Sequence, residues 1–217
     1  MPEARADLRL IVIRHGETDW NVQQRFQGHV DPPLNGQGCS QARRLGERLA
    51  TELIDQLVCS DLLRARQTAA PLAEAWGLTP QPLNTWREQH FGELEGMEVT
   101  WVKQARPEIW ATWLQQDGDY ALPGGGESMR QFHQRVMGAL DDLVQRFAGQ
   151  TVAVVTHGGV LDMLWRTARG EPLSGVRRCA IPNCGVNRLR RSGDQLHIEV
   201  WADDAPLPET TASRRPA

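Results

Sequence analysis

Residues 8–16 read Leu-Arg-Leu-Ile-Val-Ile-Arg-His-Gly, and this stretch decides the fold class. Leu8 to Ile13 is a short apolar run rich in β-branched side chains, which predicts a buried strand. It stops abruptly at Arg14-His15-Gly16-Glu17-Thr18, which predicts a loop. The same transition recurs at residues 151–159, Thr-Val-Ala-Val-Val-Thr-His-Gly-Gly, ahead of a helix expected around Leu161 to Thr167. Two strands therefore each deliver a histidine followed by glycine at a strand-to-helix junction.

Working outward, Ala42, Leu45, Leu49 and Leu53 recur at helical spacing, so a helix is expected from about Asn35 to Ile54. A short strand over Gln56–Cys59 follows. Ser60-Asp61 then offers a cap for a helix to about Trp76, with Leu63, Thr68, Leu72 and Ala73 turned inward. Met129, Phe132, Val136, Leu140, Leu143 and Phe147 predict a long amphipathic helix with Ser128 near its cap. Gly185–Leu189 and Leu196–Trp201 alternate like a hairpin around Ser192-Gly193-Asp194. Buried strands alternating with helices predict a three-layer α/β/α domain around a mostly parallel sheet. In such sheets ligands bind beyond the carboxyl ends of the strands, where His15 and His157 fall.

Residues 81–126 are the least regular stretch, with Pro82, Pro107, Pro123 and glycines at 124–126. The expected organisation is a single domain over residues 1–205, an insertion at about 86–127 carrying short helices around Trp101 and Trp110, and a flexible tail over 206–217. Trp101, Trp110, Trp113, Phe91 and Tyr120 crowd the insertion, which is expected to form a cap that selects the organic part of a substrate.

The chain of 217 residues suits one α/β domain, and its 40% hydrophobic and 24% charged residues suit a folded one. A formal net charge of -3 gives no whole-chain attraction to nucleic acid or an anionic membrane, so recognition of an anion has to be local. No apolar stretch approaches the roughly 20 residues that span a bilayer, and Met1 to Asp7 is too polar for a secretory signal. Cys39, Cys59, Cys179 and Cys184 are scattered, which fits reduced thiols and a cytoplasmic location. No H-x-H or H-E-x-x-H spacing occurs, so no metal is predicted.

The polar residues at the strand ends include every type that an oxyanion site needs. Arg14 has a planar fork suited to phosphate oxygens, Gly16 admits close backbone approach, and His15 between them is a potential nucleophile. The neighbouring arginine favours a neutral imidazole with a free lone pair. The tripeptide alone is a weak signal. It extends, however, through Asn21 and into Arg25-Phe26-x-Gly28 and Asp31-x-Pro33-Leu34-x-x-x-Gly38. Further blocks follow in order: Ser60-Asp61-Leu62-x-Arg64-Ala65-x-Gln67-Thr68, Arg87-Glu88-x-x-Phe91-Gly92-x-x-Glu95-Gly96, Gly125-Gly126-Glu127-Ser128 and Val155-Thr156-His157-Gly158-Gly159.

In these blocks the sequence resembles the histidine phosphatase superfamily, over nearly its whole length. The resemblance implies that His15 is the nucleophile and carries a phosphohistidine. Arg14, Arg64 and His157 would surround the phosphoryl oxygens, and Glu88 would serve as acid and then base. Asn21, Gln27, Gly28 and Gly158 are further candidate substrate-binding positions. The implied reaction is metal-independent hydrolysis of a small-molecule phosphate monoester, with no cofactor. Nucleic-acid and membrane partners are not expected; a homodimer is compatible with the sequence. Two alternatives stand: a cofactor-dependent phosphoglycerate mutase, and an inactive relative that binds phosphorylated ligands. By the family pattern mutases carry arginine directly after the motif glutamate, whereas this chain has Gln89 there. Between Glu88 and Glu127 its basic side chains besides His90 are Lys103 and Arg106. His29, His90, His133 and His197 share no pattern and are expected to be structural or exposed.

Overall fold

The computed structural model describes residues 6–115 and 118–205; the tail expected over 206–217 lies outside them. A six-stranded sheet runs through the middle. Its strands are β1 (Leu8–Arg14), β2 (Gln56–Ser60), β3 (Gln81–Leu83), β4 (Thr151–Thr156), β5 (Val186–Ser192) and β6 (Gln195–Asp203), in the order β3-β2-β4-β1-β5-β6. The first four positions are mutually parallel, and β5 and β6 join as an antiparallel hairpin. The three-layer, mostly parallel architecture is as the sequence predicts.

Side-chain alternation explains the layers. Leu8, Leu10 and Val12 of β1 and Val152 and Val154 of β4 enter one core. There they meet Phe132, Val136 and Leu140 of α6 (Met129–Phe147) and Leu161 and Leu164 of α7 (Gly158–Arg169). Ile11, Ile13, Ala153 and Val155 point to the other face, against Leu45 and Leu49 of α2 (Gly36–Leu49) and Ala65, Ala69 and Leu72 of α3 (Leu63–Trp76). A strand apolar on both sides needs cover on both sides, since each buried Val, Leu or Ile contributes roughly 1.5–3 kcal/mol.

Three local expectations are corrected. Helix α2 ends at Leu49 rather than near Ile54, and Leu53 is 90% exposed. The chain must turn there because Asp55 is tied to Thr151 in both directions, its N–H to the Thr151 carbonyl and the Thr151 N–H to its carboxylate. Helix α3 starts at Leu63 without a side-chain cap. Asp61 instead takes the Arg87 guanidinium in a two-point pair at 2.7 and 2.6 Å, and Asp31 accepts the Leu63 N–H from a distant loop. Leu63 itself faces outward, and the inward band is Ala65, Thr68, Ala69 and Leu72.

Helix α6 begins at the predicted cap, where Ser128 and Gln131 bond each other's backbone N–H in a capping box. The insertion contains two short helices, α4 (Val99–Ala105) and α5 (Pro107–Gln115). It has a small core of its own, Phe26, Leu94, Val102, Ile109 and Leu122, against which Phe91, Trp110 and Trp113 pack. Trp101 is 47% exposed and stands apart from that cluster. Among the described residues no helix is long and apolar enough to cross a membrane.

Candidate active site

Arg14 and Thr156, the last residues of neighbouring parallel strands, are register partners, and the ladder continues one step further through the His15 N–H to the Thr156 carbonyl at 2.9 Å. His15 and His157 are therefore delivered side by side, with ring centroids 5.2 Å apart and planes tilted by 60°. Both rings are buried. The Nδ1 atom of His15 lies 2.7 Å from the Gly16 carbonyl oxygen. A carbonyl can only accept, so Nδ1 holds the ring proton and Nε2 keeps its lone pair.

Burial holds both imidazoles neutral. It pushes the pKa of each well below the usual histidine value, and the positive charges of Arg64 and then Arg14 lower that of His15 further. For His157, Arg64 and His15 are the next largest causes after burial. The adjacent arginine noted in the sequence thus acts in the expected direction but is the third cause, behind burial and the more distant Arg64.

Arg64 comes from the first turn of α3 and is fully buried. Its Nη1 and Nη2 donate to the carbonyls of Val30 and Gly28, each at 2.9 Å. Arg14 donates through Nη1 to the Ile181 carbonyl at 2.6 Å. Desolvation lowers the pKa of each guanidinium to about 10, and the nearby Arg177 lowers that of Arg14 next. Both remain cations at neutral pH. The Nε atoms of Arg14 and Arg64 and both ring nitrogens of His157 are buried without a protein partner. Such unpaired groups are rare and costly in a folded protein, and here four of them belong to the three motif residues Arg14, Arg64 and His157.

Glu88 is presented by the chain leaving β3. Both its carboxylate oxygens accept the N–H of Gly159, in the first turn of α7, at 3.0 Å. A Cβ on Gly159 would stand 2.1 Å from Glu88 Oε1, so glycine is required for this approach. Gly28, at φ +53, has its missing Cβ 2.0 Å from Glu95 Oε1 while its carbonyl holds Arg64. Asn21 caps the short helix α1 (Asp19–Val22): its Oδ1 accepts the N–H and hydroxyl of Thr18. Gln27 is buried with Oε1 unpaired. Gly158 opens α7 beside Arg14 Nε.

Several further residues support the site, and of these only Thr68 lies in a block legible in the sequence. Thr68 accepts the Gly16 N–H at 2.9 Å and donates to the Arg64 carbonyl at 2.7 Å, tying the first two motifs together. Asn183 donates to the His15 carbonyl. Arg135, on the long helix, grips Glu127 with two bonds of 2.7 Å and donates to the carbonyls of Arg87 and Glu88. His29 donates through Nε2 to the Glu88 carbonyl at 3.0 Å and stacks on His90 at 4.7 Å, so both histidines are structural. Arg177 was not singled out either; its guanidinium stands near Arg14 and Gly158, with Nε 3.9 Å from Asp162. Among the described residues no three His, Cys, Asp or Glu side chains converge as a metal site.

Two histidines, two buried guanidinium groups and a carboxylate from four separate motifs meet at one end of the sheet. The profile of the histidine phosphatase superfamily, branch 1, matches residues 10–204. The chain belongs to that superfamily. It is an enzyme of the histidine phosphatase type. It is 37% identical over 222 residues to the phosphoglycerate mutase-like protein 4 of Arabidopsis thaliana, an alignment covering 97% of this chain and 94% of that protein. It is 33% identical over 201 residues to the metal-independent phosphoserine phosphatase of the same plant, covering 91% and 82%. Among solved structures, a mycobacterial glucosyl-3-phosphoglycerate phosphatase superposes with a TM-score of 0.79 at 29% identity, covering 92% of this chain and 99% of that one.

Proposed function

We propose that this chain hydrolyses phosphate monoesters of small metabolites in two steps through a phosphohistidine at His15. One observation carries the reading. Arg14 Nε, Arg64 Nε and both nitrogens of His157, whose ring centroid lies 5.2 Å from that of His15, are buried polar atoms without a protein partner. A phosphoryl group, with negative charge spread over three oxygens, is the ligand that such a set would match.

In the first step Nε2 of His15 forms the P–N bond as the ester P–O bond breaks. Glu88, protonated, gives its proton to the departing oxygen. Arg14, Arg64 and His157 stabilise the equatorial charge, with the Asn21 amide and the N-terminus of α7 at Gly158 as further donors. In the second step Glu88, now a carboxylate, takes a proton from water; the water oxygen bonds to phosphorus and the P–N bond breaks. Inorganic phosphate leaves and both His15 and Glu88 return to their starting forms. Gln27 and Gly28 shape the wall that holds Arg64. The insertion, through Phe91, Trp110 and Trp113 but without Trp101, forms the cap that contacts the organic part.

Phosphatase names among relatives support hydrolysis. A mutase reading has the mutase-like relative in its favour, but Gln89 is buried with its amide on the Glu127 carbonyl, so the position after Glu88 supplies no cation for a substrate carboxylate. The deciding experiment is a screen of phosphomonoesters with and without EDTA. Phosphate release by wild type, unchanged by chelator and absent in His15→Ala, is the expected result. Undiminished release by His15→Ala would overturn the mechanism. Phosphoglycerate isomerisation that requires added bisphosphoglycerate and releases no phosphate would replace hydrolase with mutase.

A further inference from the structure

A cavity of about 220 Å³ opens between the insertion and the first turns of α6 and α7. Its walls are apolar: Phe91, Trp110, Trp113, Met129, Met163 and Leu173 all line it. Gly159 and Gln89 also line it. These two residues hold the Glu88 carboxylate, Gly159 by donating its N–H to both oxygens and Gln89 by donating its own N–H to Oε1. The cavity therefore abuts the group that would protonate the departing oxygen, which is where the organic half of an ester has to go.

Charge on the walls is sparse and already engaged. Asp162 is buried and pairs with Arg166 at 3.0 Å. Arg177 is the one cation among the described lining residues, and it faces Asp162. Arg166 also collects the carbonyls of Pro172, Ser174, Gly175 and Val176, which fixes the loop that carries Val176 and Arg177 over the cavity mouth. A leaving group with its own carboxylate would enter apolar walls beside the Asp162 carboxylate, which Arg166 already holds, and would meet Arg177 as the one cation among the described lining residues, itself 3.9 Å from Asp162, which is unfavourable.

We infer that the cavity is the leaving-group subsite, and that it selects phosphate monoesters of uncharged alcohols with an apolar body about the size of one ring. This deepens, and rests on, the hydrolase reading. A cavity of about 150 Å³ lined by such side chains accommodates benzene, so 220 Å³ leaves room for a ring and its connecting carbon.

The test compares three esters with similar leaving oxygens: benzyl phosphate, ethyl phosphate and phosphoglycolate, in which a carboxylate replaces the ethyl methyl group. Wild type is expected to show kcat/KM for benzyl phosphate about tenfold or more above ethyl phosphate, the range that added apolar burial supplies, and phosphoglycolate below both. The benzyl-to-ethyl ratio is expected to fall severalfold in Trp110→Ala and in Val176→Ser, the latter at an exposed position where folding is not at risk. Equal values for benzyl and ethyl phosphate, or a preference for phosphoglycolate, overturn the subsite while leaving the hydrolase intact. Phosphate release from none of the three sinks the hydrolase reading. The subsite is then judged by calorimetry: tighter binding of benzylphosphonate than ethylphosphonate, lost in Trp110→Ala, supports it, and equal binding overturns it.

Discussion

The rings of His15 and His157 lie 5.2 Å apart because Arg14 and Thr156 are partners on adjacent parallel strands. Neighbouring strands are spaced by about 4.8 Å, so two residues that follow paired strand ends are held at that separation by the sheet itself. The backbone bond from His15 to Thr156 removes the remaining freedom. The pair is thus set by hydrogen-bonded backbone rather than by loop packing, and the surrounding cations are buried against it, Arg64 with only the half-exposed Asp31 carboxylate 3.8 Å from its Nη1. The desolvation that lowers the pKa of Arg14 and Arg64 is relieved when an anion enters.

Inorganic phosphate or orthovanadate is therefore expected to stabilise the folded protein. At a ligand concentration of 100 Kd the gain is about 2.7 kcal/mol, which is several degrees in Tm for a domain of this size. Arg14→Gln removes one buried cation and its repulsion from Arg177, so this variant is expected to melt close to wild type without ligand. Its ligand-dependent shift should be much smaller. A shift of equal size in both proteins, measured by thermal denaturation across a phosphate titration, would argue against an anion site at Arg14.

The two neutral histidines make stability depend on pH. Each has a folded-state pKa well below 6.5, so the unfolded chain binds more protons as pH falls through about 6.5, and stability declines from there downward. The loss approaches about 1.4 kcal/mol per pH unit for each histidine until its folded pKa is reached. In His157→Gln one of these contributions is removed. The difference in Tm between pH 7.5 and 5.5 should therefore be smaller in this variant than in wild type; an equal difference would show that His157 is not held neutral. The same shift predicts that kcat/KM keeps no acid limb near 6.5 from His15.

Most of this site was legible because its chemistry is local in sequence. His15 and His157 follow the two most hydrophobic strands, and Arg14, Arg64 and Glu88 lie in short motifs with few free positions. The insertion's own helices showed through Trp101 and Trp110, although a tryptophan's period does not say which face it takes, and Trp101 turned outward. What could not be read depends on pairings across the chain. Asp61 was expected to cap α3 and is captured by Arg87, 26 residues on. Asn183, Arg135 and Arg177 act through bonds to backbone or charges from other elements, and no local pattern distinguishes such a side chain from an exposed one. Leu53 matched the helical period, but the Asp55–Thr151 tie ends α2 first.

Gly159→Ala is expected to disable the acid rather than the nucleophile. The added methyl would meet Glu88 Oε1 at 2.1 Å and Phe132 at 3.0 Å, so the carboxylate has to move off the α7 N-terminus. General acid catalysis contributes about 10²–10⁴ to the rate, and kcat/KM for ethyl phosphate, which covers only the steps up to departure of the alcohol, should fall by at least about 100-fold. An ester such as 4-nitrophenyl phosphate departs without a proton, so its kcat/KM should fall far less, even though hydrolysis of the shared phosphohistidine, with Glu88 as base, slows for both. Equal losses on the two esters would mean that the phosphate site itself had been damaged and that Glu88 is not the acid.

Arg135 extends this reasoning one layer outward. Its guanidinium is the point where Glu127 and the carbonyls of Thr85, Arg87 and Glu88 are joined, so the backbone on either side of the acid is fixed by one side chain. Lysine keeps the charge and cannot make the two-point bond or reach three carbonyls at once. Both partners are about a fifth exposed, which limits the expected stability loss in Arg135→Lys to about 1–2 kcal/mol. The catalytic effect is expected to exceed the structural one: kcat/KM for ethyl phosphate falls about tenfold at a temperature where the variant is fully folded, and kcat/KM for 4-nitrophenyl phosphate changes little. A merely structural role would lower both rates together, and that pattern would remove Arg135 from the positioning of Glu88.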